Sequence, residues 1–84
     1  MIDISYRIFD LVASTNSLTK TAEIVHLTPS AVSHSLRKLE ERLGMQLVVR
    51  NRDGLRLTQY GQELIPHVRY ALKAEERLQQ EIRH

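Results

Sequence analysis

The sequence predicts a mainly α-helical domain in which three helices precede a two-stranded β-hairpin and a long final helix. Three observations lead to this prediction. Apolar residues recur at three- and four-residue spacings over most of the chain, as they do along one face of an α-helix. Residues 45–57 instead contain β-branched residues, an Asp-Gly pair and strict alternation, which is typical of a hairpin. From residue 59 the helical spacing returns and continues almost to the end.

The first two helices are short and are separated by a polar turn. Helical spacing of apolar residues predicts the first from Ile4 to about Ser14. Asn16 tolerates a left-handed backbone, and Ser17 is a good N-cap for a second helix over Leu18–Val25. The residues expected to face the core are Tyr6, Ile8, Phe9, Val12 and Ala13 in the first helix and Leu18, Ala22 and Val25 in the second.

The third helix has both of its ends specified by the sequence. Thr28 can cap it, Pro29 suits its first position, and Gly44 can adopt the left-handed conformation that ends it after Leu43. Its inner face carries Val32, Leu36, Leu39 and Leu43. Its outer face carries Ser30, His34, Arg37 and Glu41, with Ser33 and Lys38 on the flanks. Burial does not explain the outer face, whose hydroxyl, imidazole and cationic groups can bind base edges or phosphates.

Two short helices joined by a tight turn, the second with a polar outer face, form the helix-turn-helix pattern. The hairpin that follows would be a wing, with strands around Met45–Val49 and Leu55–Leu57 and a turn at Asp53-Gly54. The seven residues 50–56 of this hairpin include three arginines, Arg50, Arg52 and Arg56. A solvated surface hairpin is the alternative interpretation.

A final helix, capped by Thr58, is predicted from Gln59 nearly to the end, with a bend at Pro66. About 25 residues of helix exceed what so small a body can cover, so we expect its apolar face to form a homodimer. The expected dimer residues are Leu64, Val68, Ala71, Leu72, Leu78 and Ile82. A frayed tail is the alternative.

Charge and composition favour some classes of function over others. The net charge is only +2, but residues 28–58 hold six basic against three acidic side chains, which favours a polyanionic partner. The 84 residues contain no cysteine, no long apolar run and no signal-like start, so we expect a cytoplasmic protein that does not cross a membrane.

Metal, cofactor and catalytic sites are not expected. The four histidines, His26, His34, His67 and His84, lack the i, i+4 pairing of a helical metal site. No nucleophile stands beside a base, and so small a domain offers no enclosing pocket. The sequence therefore favours a binding protein over an enzyme.

The whole chain resembles the N-terminal DNA-binding region of the LysR-type transcriptional regulators. The matching residues are Phe9 with Val12-Ala13, Ser17-Leu18-Thr19, Ala22-Glu23, Leu27-Thr28, Ala31-Val32-Ser33, Arg37-Lys38-Leu39-Glu40, Leu43-Gly44, Gln46-Leu47, Arg50, and Leu57-Thr58 with Gly61. The order and spacing of these motifs make the resemblance specific. The chain departs from the family at Thr21-Ala22, at Pro29-Ser30 and at Val48, none of which threatens the fold. Because the Pro29-Ser30 departure lies where relatives often have a Gln that can reach an adenine edge, their base preference is not carried over.

The resemblance implies a winged helix-turn-helix over residues 1–58 and a linker or dimerisation helix over residues 59–84. It implies sequence-specific binding of double-stranded DNA as a dimer on paired half-sites. Family members normally continue into an effector-sensing domain, which these residues do not include. We therefore expect a shortened chain or a natural stand-alone version.

Candidate DNA contacts follow from these expectations. Those for base edges in the major groove are Thr28, Pro29, Ser30, Ser33, His34 and Arg37. Those for phosphates and the wing are Ser17, Thr19, Lys38, Arg50, Arg52 and Arg56, with a plain helix cap as the alternative for Ser17 and Thr19. The alternative for Arg37 is an exposed ion pair with Glu41. The alternative for the whole chain is a winged-helix module that binds protein and dimerises through its last helix.

Overall fold

The computed structural model describes residues 2–83 and confirms the predicted order of elements. The elements are α1 (Ile4–Thr15), α2 (Leu18–Val25), α3 (Pro29–Leu43), β1 (Val48–Asn51), β2 (Gly54–Leu57) and α4 (Gln59–Ile82). Over residues 2–83, no helix is both long and apolar enough to cross a membrane. His84, one of the histidines considered for metal binding, lies outside the described residues.

The predicted caps of α3 are confirmed. The hydroxyl of Thr28 accepts a hydrogen bond from the backbone N–H of Ala31 at 3.1 Å, and Pro29 occupies the first turn. Gly44 ends the helix at φ +69°, where a residue with a Cβ would be strained. These caps fix the length of α3, and therefore which side chains its outer face presents.

The core lies where α1, α3 and the hairpin meet. Phe9 of α1 and Leu36 of α3 are fully buried, and Leu47, just before β1, closes the same core. The inner face predicted for α3 is confirmed, since Val32 and Leu39 are also fully buried and Leu43 packs against the core. Burying one face of α3 in this way leaves the opposite face in contact with solvent.

The first strand of the hairpin lies further along the chain than predicted, and the second begins one residue earlier, at Gly54. β1 begins at Val48 rather than at Met45, and its register with β2 pairs Val48 with Leu57 and Asn51 with Gly54. The turn is therefore centred on residues 52–53 and not on residues 53–54. The predicted start is wrong because residues 45–47 still follow the end of α3, where the backbone N–H of Met45 donates to the carbonyl of Glu40.

The residues predicted to form a dimer face along α4 differ in exposure between the first and the second half of the helix. Val68 is buried within its own chain, and Leu64 and Leu72 pack against the same core. The first half of α4 lies against α1, so Val68 leaves almost no surface for a partner, and the dimer contacts expected at these three residues stay a prediction. An ion pair between Arg69 and Asp10, at 2.8 Å, also joins the two helices.

The second half of α4 extends away from the body, and the molecule measures 47 × 26 × 20 Å. Leu78 is 56% exposed and Ile82 is 74% exposed, whereas Ala71 is half-buried. The helix continues through Pro66, and the bend expected there stays a prediction. Leu78 and Ile82 therefore leave apolar surface exposed near the end of α4.

Asp3 links the start of α1 to the end of α3. Its carboxylate accepts a hydrogen bond from the backbone N–H of Ser5 at 2.8 Å and forms an ion pair with Arg42 at 3.1 Å. The bond from the Ser5 backbone, aided by the Arg42 guanidinium, lowers the pKa of Asp3. A lowered folded-state pKa stabilises the fold above the unfolded pKa, and that stabilisation is lost as the pH falls through the folded pKa.

Asp3→Asn is expected to reduce the free energy of unfolding at neutral pH, and the difference from wild type should shrink as the pH falls below about 4. Asparagine keeps an N-cap acceptor but cannot titrate, so the variant isolates the charge. Urea denaturation at a series of pH values measures the difference. A difference that stays constant between pH 7 and pH 3 would contradict this account.

Candidate nucleic-acid interface

The outer face of α3 presents polar and cationic groups to solvent. Ser30, His34 and Arg37 are exposed, and they follow one another at four- and three-residue spacings along the helix. Lys38 is also exposed, on the side of a shallow groove between α1 and α3. Thr28 and Pro29, at the start of the helix, are exposed as well. The predicted face therefore exists as a continuous surface.

Ser33 departs from the exposed position expected of a base contact. Its side chain is buried, with 6% exposure, and its hydroxyl accepts a hydrogen bond from Nη2 of Arg37 at 2.9 Å. The departure arises because Ser33 follows Val32 on the helix and turns toward the core edge. Ser33 therefore contacts Arg37, one turn further along α3, instead of standing free on the surface.

The alternative ion pair between Arg37 and Glu41 is not formed. Within residues 2–83 the ion pairs are Arg42 with Asp3 and Arg69 with Asp10. Arg37 uses one N–H group on Ser33, and an arginine fork has further N–H donors to offer. The guanidinium can therefore meet a planar pair of acceptors such as the Hoogsteen edge of guanine.

The three wing arginines are all exposed but do not share one face. The strand register pairs Arg50 with Leu55 and Arg56 with Val49. Cross-strand partners lie on the same side of a hairpin, and neighbours along a strand lie on opposite sides. Arg50 and Arg56 consequently lie on opposite sides, while Arg52 stands in the turn between the strands.

Arg50 and Ser17 line one groove, between the start of α2 and the hairpin. The hydroxyl of Ser17 accepts from the backbone N–H of Lys20 at 3.0 Å, which is the cap considered as its alternative role. Thr19, in the first turn of the same helix, is exposed. Arg56 lies in a different recess, with Ala13 and Gln62. The fold thus brings one wing arginine next to α2 and separates another from it.

Glu40 is a positioning residue that the sequence analysis missed. Its Oε2 accepts from the backbone N–H of Leu47 at 2.7 Å and from that of Val48 at 3.2 Å. These bonds tie the end of α3 to the start of the wing. The sequence does contain a signal for this role. Glu40 lies near the C-terminus of α3, where a carboxylate is unfavourable unless it has a partner elsewhere.

Glu40→Ala is expected to lower the free energy of unfolding by about 1.5–3 kcal/mol, because two backbone N–H groups lose a charged acceptor. Glu40→Gln keeps the shape and one acceptor oxygen, so it should cost less. Chemical denaturation of both variants measures their free energies of unfolding and shows which substitution costs more. Glu41→Ala is the matched control, since Glu41 is exposed beside it and is expected to change stability by no more than about 0.5 kcal/mol. Equal losses of unfolding free energy in Glu40→Ala and Glu41→Ala would show that Glu40 does not stabilise the junction between α3 and the wing.

Comparison with known proteins settles the family. The model of the family described as "Bacterial regulatory helix-turn-helix protein, lysR family" matches residues 5–62. The chain belongs to the LysR family. The match covers α1, α2, α3 and the wing, so this LysR-family chain carries the elements that form the surface described above. The resemblance inferred from the sequence is confirmed.

Similar proteins agree with this assignment. The LysR-family chain is 36% identical over 75 residues to the HTH-type transcriptional regulator YvbU of Bacillus subtilis strain 168, which covers 88% of the chain and 26% of YvbU. It is also 36% identical over 73 residues to the HTH-type transcriptional regulator HdfR of Salmonella newport, covering 87% of the chain and 26% of HdfR. The chain therefore spans about a quarter of the length of these relatives.

The fold is shared with a solved DNA complex. The structure titled as a BenM DNA-binding domain bound to catB site 1 DNA has a TM-score of 0.91 and 24% identity, and the match covers 99% of this LysR-family chain and 93% of that one. At this identity the likeness shows the fold alone. It confirms the predicted winged helix-turn-helix with a long final helix.

Proposed function

We propose that this LysR-family chain binds double-stranded DNA with sequence preference, as the DNA-binding part of a bacterial transcriptional regulator. The observation that carries the proposal is the outer face of α3, on which Ser30, His34 and Arg37 are exposed while the opposite face packs into the core. A face of this chemistry suits the major groove, which admits an α-helix and displays a distinct pattern of donors and acceptors for each base pair.

In this proposal the N-terminal half of α3 enters the groove. Thr28 and Pro29 lead, Ser30 and His34 meet base edges or nearby phosphates, and Arg37 supplies the strongest discrimination. A bidentate arginine–guanine contact contributes about 1–3 kcal/mol to base discrimination. Glu41, one turn beyond Arg37, would be repelled by phosphates and marks the part of α3 that lies outside the groove.

Lys38, Arg50, Arg52 and Arg56 are proposed to contact the phosphate backbone or the minor groove. Such contacts position the protein without specifying sequence. Ser17 lies in the same groove as Arg50, and Thr19 is exposed in the first turn of α2, where helix N–H groups are proposed to add a phosphate contact. The wing, α2 and Lys38 would therefore determine the affinity, while the outer face of α3 would determine the preference for sequence.

Two copies of the chain are proposed to act together. The exposed Leu78 and Ile82 at the end of α4 support association through that helix, and a two-fold pair of α3 helices would require paired half-sites on DNA. The chain spans 26% of YvbU and HdfR, so in a full-length protein of that size an effector-sensing domain would follow α4.

The competing function is a winged-helix module that binds protein and dimerises through α4. The exposed apolar residues at the end of α4 are common to both functions, but a protein-binding α3 would need an apolar or acidic outer face. The outer face of α3 carries an imidazole and cations, which favours DNA.

A mobility-shift titration at two salt concentrations tests the proposal. The chain is titrated against a mixture of promoter-length DNA fragments at about 50 mM and 200 mM salt. We expect a shift at the lower concentration and an affinity lower by about 10³-fold or more at the higher one, because counterions are released from phosphates on binding. Absence of any shift at 50 mM would overturn the proposal and favour the protein-binding module.

A further inference from the structure

The hydrogen bond between Ser33 and Arg37 has a geometry that matters for base reading. Ser33 lies one helical turn before Arg37, so its hydroxyl, 2.9 Å from Nη2, draws the guanidinium toward the N-terminus of α3. Glu41 lies one turn after Arg37 and could draw the guanidinium the other way, but it forms no ion pair in residues 2–83. The Arg37 guanidinium therefore lies beside Ser33, on the N-terminal side of the turn that carries Arg37.

Burial makes Ser33 suited to holding another side chain and unsuited to reading a base. Ser33 is 6% exposed, whereas Arg37 is exposed. A buried hydroxyl keeps its position through neighbouring packing, while a free arginine side chain samples many rotamers. Fixing the guanidinium before binding reduces the conformational entropy that is lost when it docks on a base pair.

We propose that Ser33 is a positioning residue for base reading: it holds the Arg37 guanidinium over the N-terminal half of α3 and does not itself contact a base. The inference rests on the proposed function, in which Arg37 reads a base pair. It adds that the sequence preference at that base pair depends on a second, buried residue that lies behind the reading surface.

The test compares sequence preference across four proteins. Bound sequences are selected from a random double-stranded DNA pool with wild type, Ser33→Ala, Arg37→Ala and the double variant, and relative affinities for each base are measured at every position. We expect Arg37→Ala to lose about 5- to 150-fold of discrimination at one base pair. Ser33→Ala should lose about 2- to 12-fold at the same base pair, which is what one hydrogen bond contributes. The double variant should match Arg37→Ala.

Two further variants separate positioning from general stability. Ser35→Ala removes a hydroxyl from a half-buried position on the same helix and should leave the preference unchanged. Ser33→Cys keeps a side chain of similar shape with a weaker acceptor and should fall between wild type and Ser33→Ala. Loss of folding stability alone would weaken binding to every sequence equally and would not change the preference at one base pair.

The outcomes distinguish this inference from the proposed function. Ser33→Ala with unchanged preference, or with a change at a different base pair from Arg37→Ala, would overturn the positioning role while leaving DNA binding intact. Wild-type protein that enriches no sequence would overturn the proposed sequence preference itself, and the positioning role with it.

Discussion

Gly61→Ala is expected to lower the free energy of unfolding by about 3 kcal/mol or more, the largest stability effect of any single substitution considered for this chain. A Cβ at residue 61 would collide with the carbonyl oxygen of Leu47 and approach the Cβ of Leu57 to 3.3 Å. The Leu47 carbonyl cannot retreat freely, because it accepts a hydrogen bond from the backbone N–H of Thr58 at 2.9 Å. The gain in helix propensity from glycine to alanine, about 1 kcal/mol, offsets only part of this cost.

Gly44→Ala is the matched control. Gly44 has open space around it but a φ of +69°, so alanine there is strained only in its backbone, by about 1–2 kcal/mol. Chemical denaturation measures the free energy of unfolding of both variants. It therefore compares the cost of a steric clash at residue 61 with the cost of backbone strain at residue 44. If Gly61→Ala costs no more than Gly44→Ala, the packing of α4 against the base of the wing is looser than the structure indicates.

Replacing Arg50, Arg52 and Arg56 together by alanine is expected to produce the largest loss of DNA affinity, on the order of a thousandfold at low salt. Four phosphate contacts per protomer, the wing arginines and Lys38, would give eight in a dimer and a slope of log K against log salt of roughly −7. Removing the three arginines leaves two contacts and a slope of roughly −2. Titrations at several salt concentrations measure both slopes.

A triple lysine variant is the control for charge. Lysine binds phosphate as a point charge, so Arg50→Lys with Arg52→Lys and Arg56→Lys should keep most of the affinity and the slope. Because Arg50 shares a groove with Ser17 and Arg56 lies on the opposite side of the hairpin, Arg50→Ala alone should reduce affinity more than Arg56→Ala alone. If the slope of log K against log salt were unchanged in the alanine variant, the wing arginines would not contact DNA.

Patterns among neighbouring residues were sufficient to predict most elements of the fold. The caps at Ser17, Thr28 and Gly44 depend on side-chain chemistry within a few residues, so they could be identified from the sequence. His26 ends α2 at φ +59°, a conformation that is uncommon for any residue other than glycine, and the sequence analysis did not assign it. The backbone N–H groups of His26 and Leu27 both donate to the carbonyl of Ala22, which ends α2 in this conformation.

What the sequence did not reveal depends on contacts between distant elements. Periodicity along α4 could not show that Val68 packs against its own chain while Ile82 stays exposed, since both fit the same helical face. The position of β1 depends on the bonds from Leu47 and Val48 to the Glu40 carboxylate, seven and eight residues earlier. Likewise, the burial of Ser33 depends on how far α3 is sunk into the core.

The most direct test of sequence reading by α3 is the selection of bound sequences from a random pool of double-stranded DNA by the wild-type chain. We expect enrichment of a short motif in two symmetrically arranged copies, as a dimer with one α3 per half-site requires. The preference within each half-site should weaken in Arg37→Ala. Recovery of no motif, or of a motif that Arg37→Ala leaves unchanged, would contradict the assignment of α3 as the element that reads DNA.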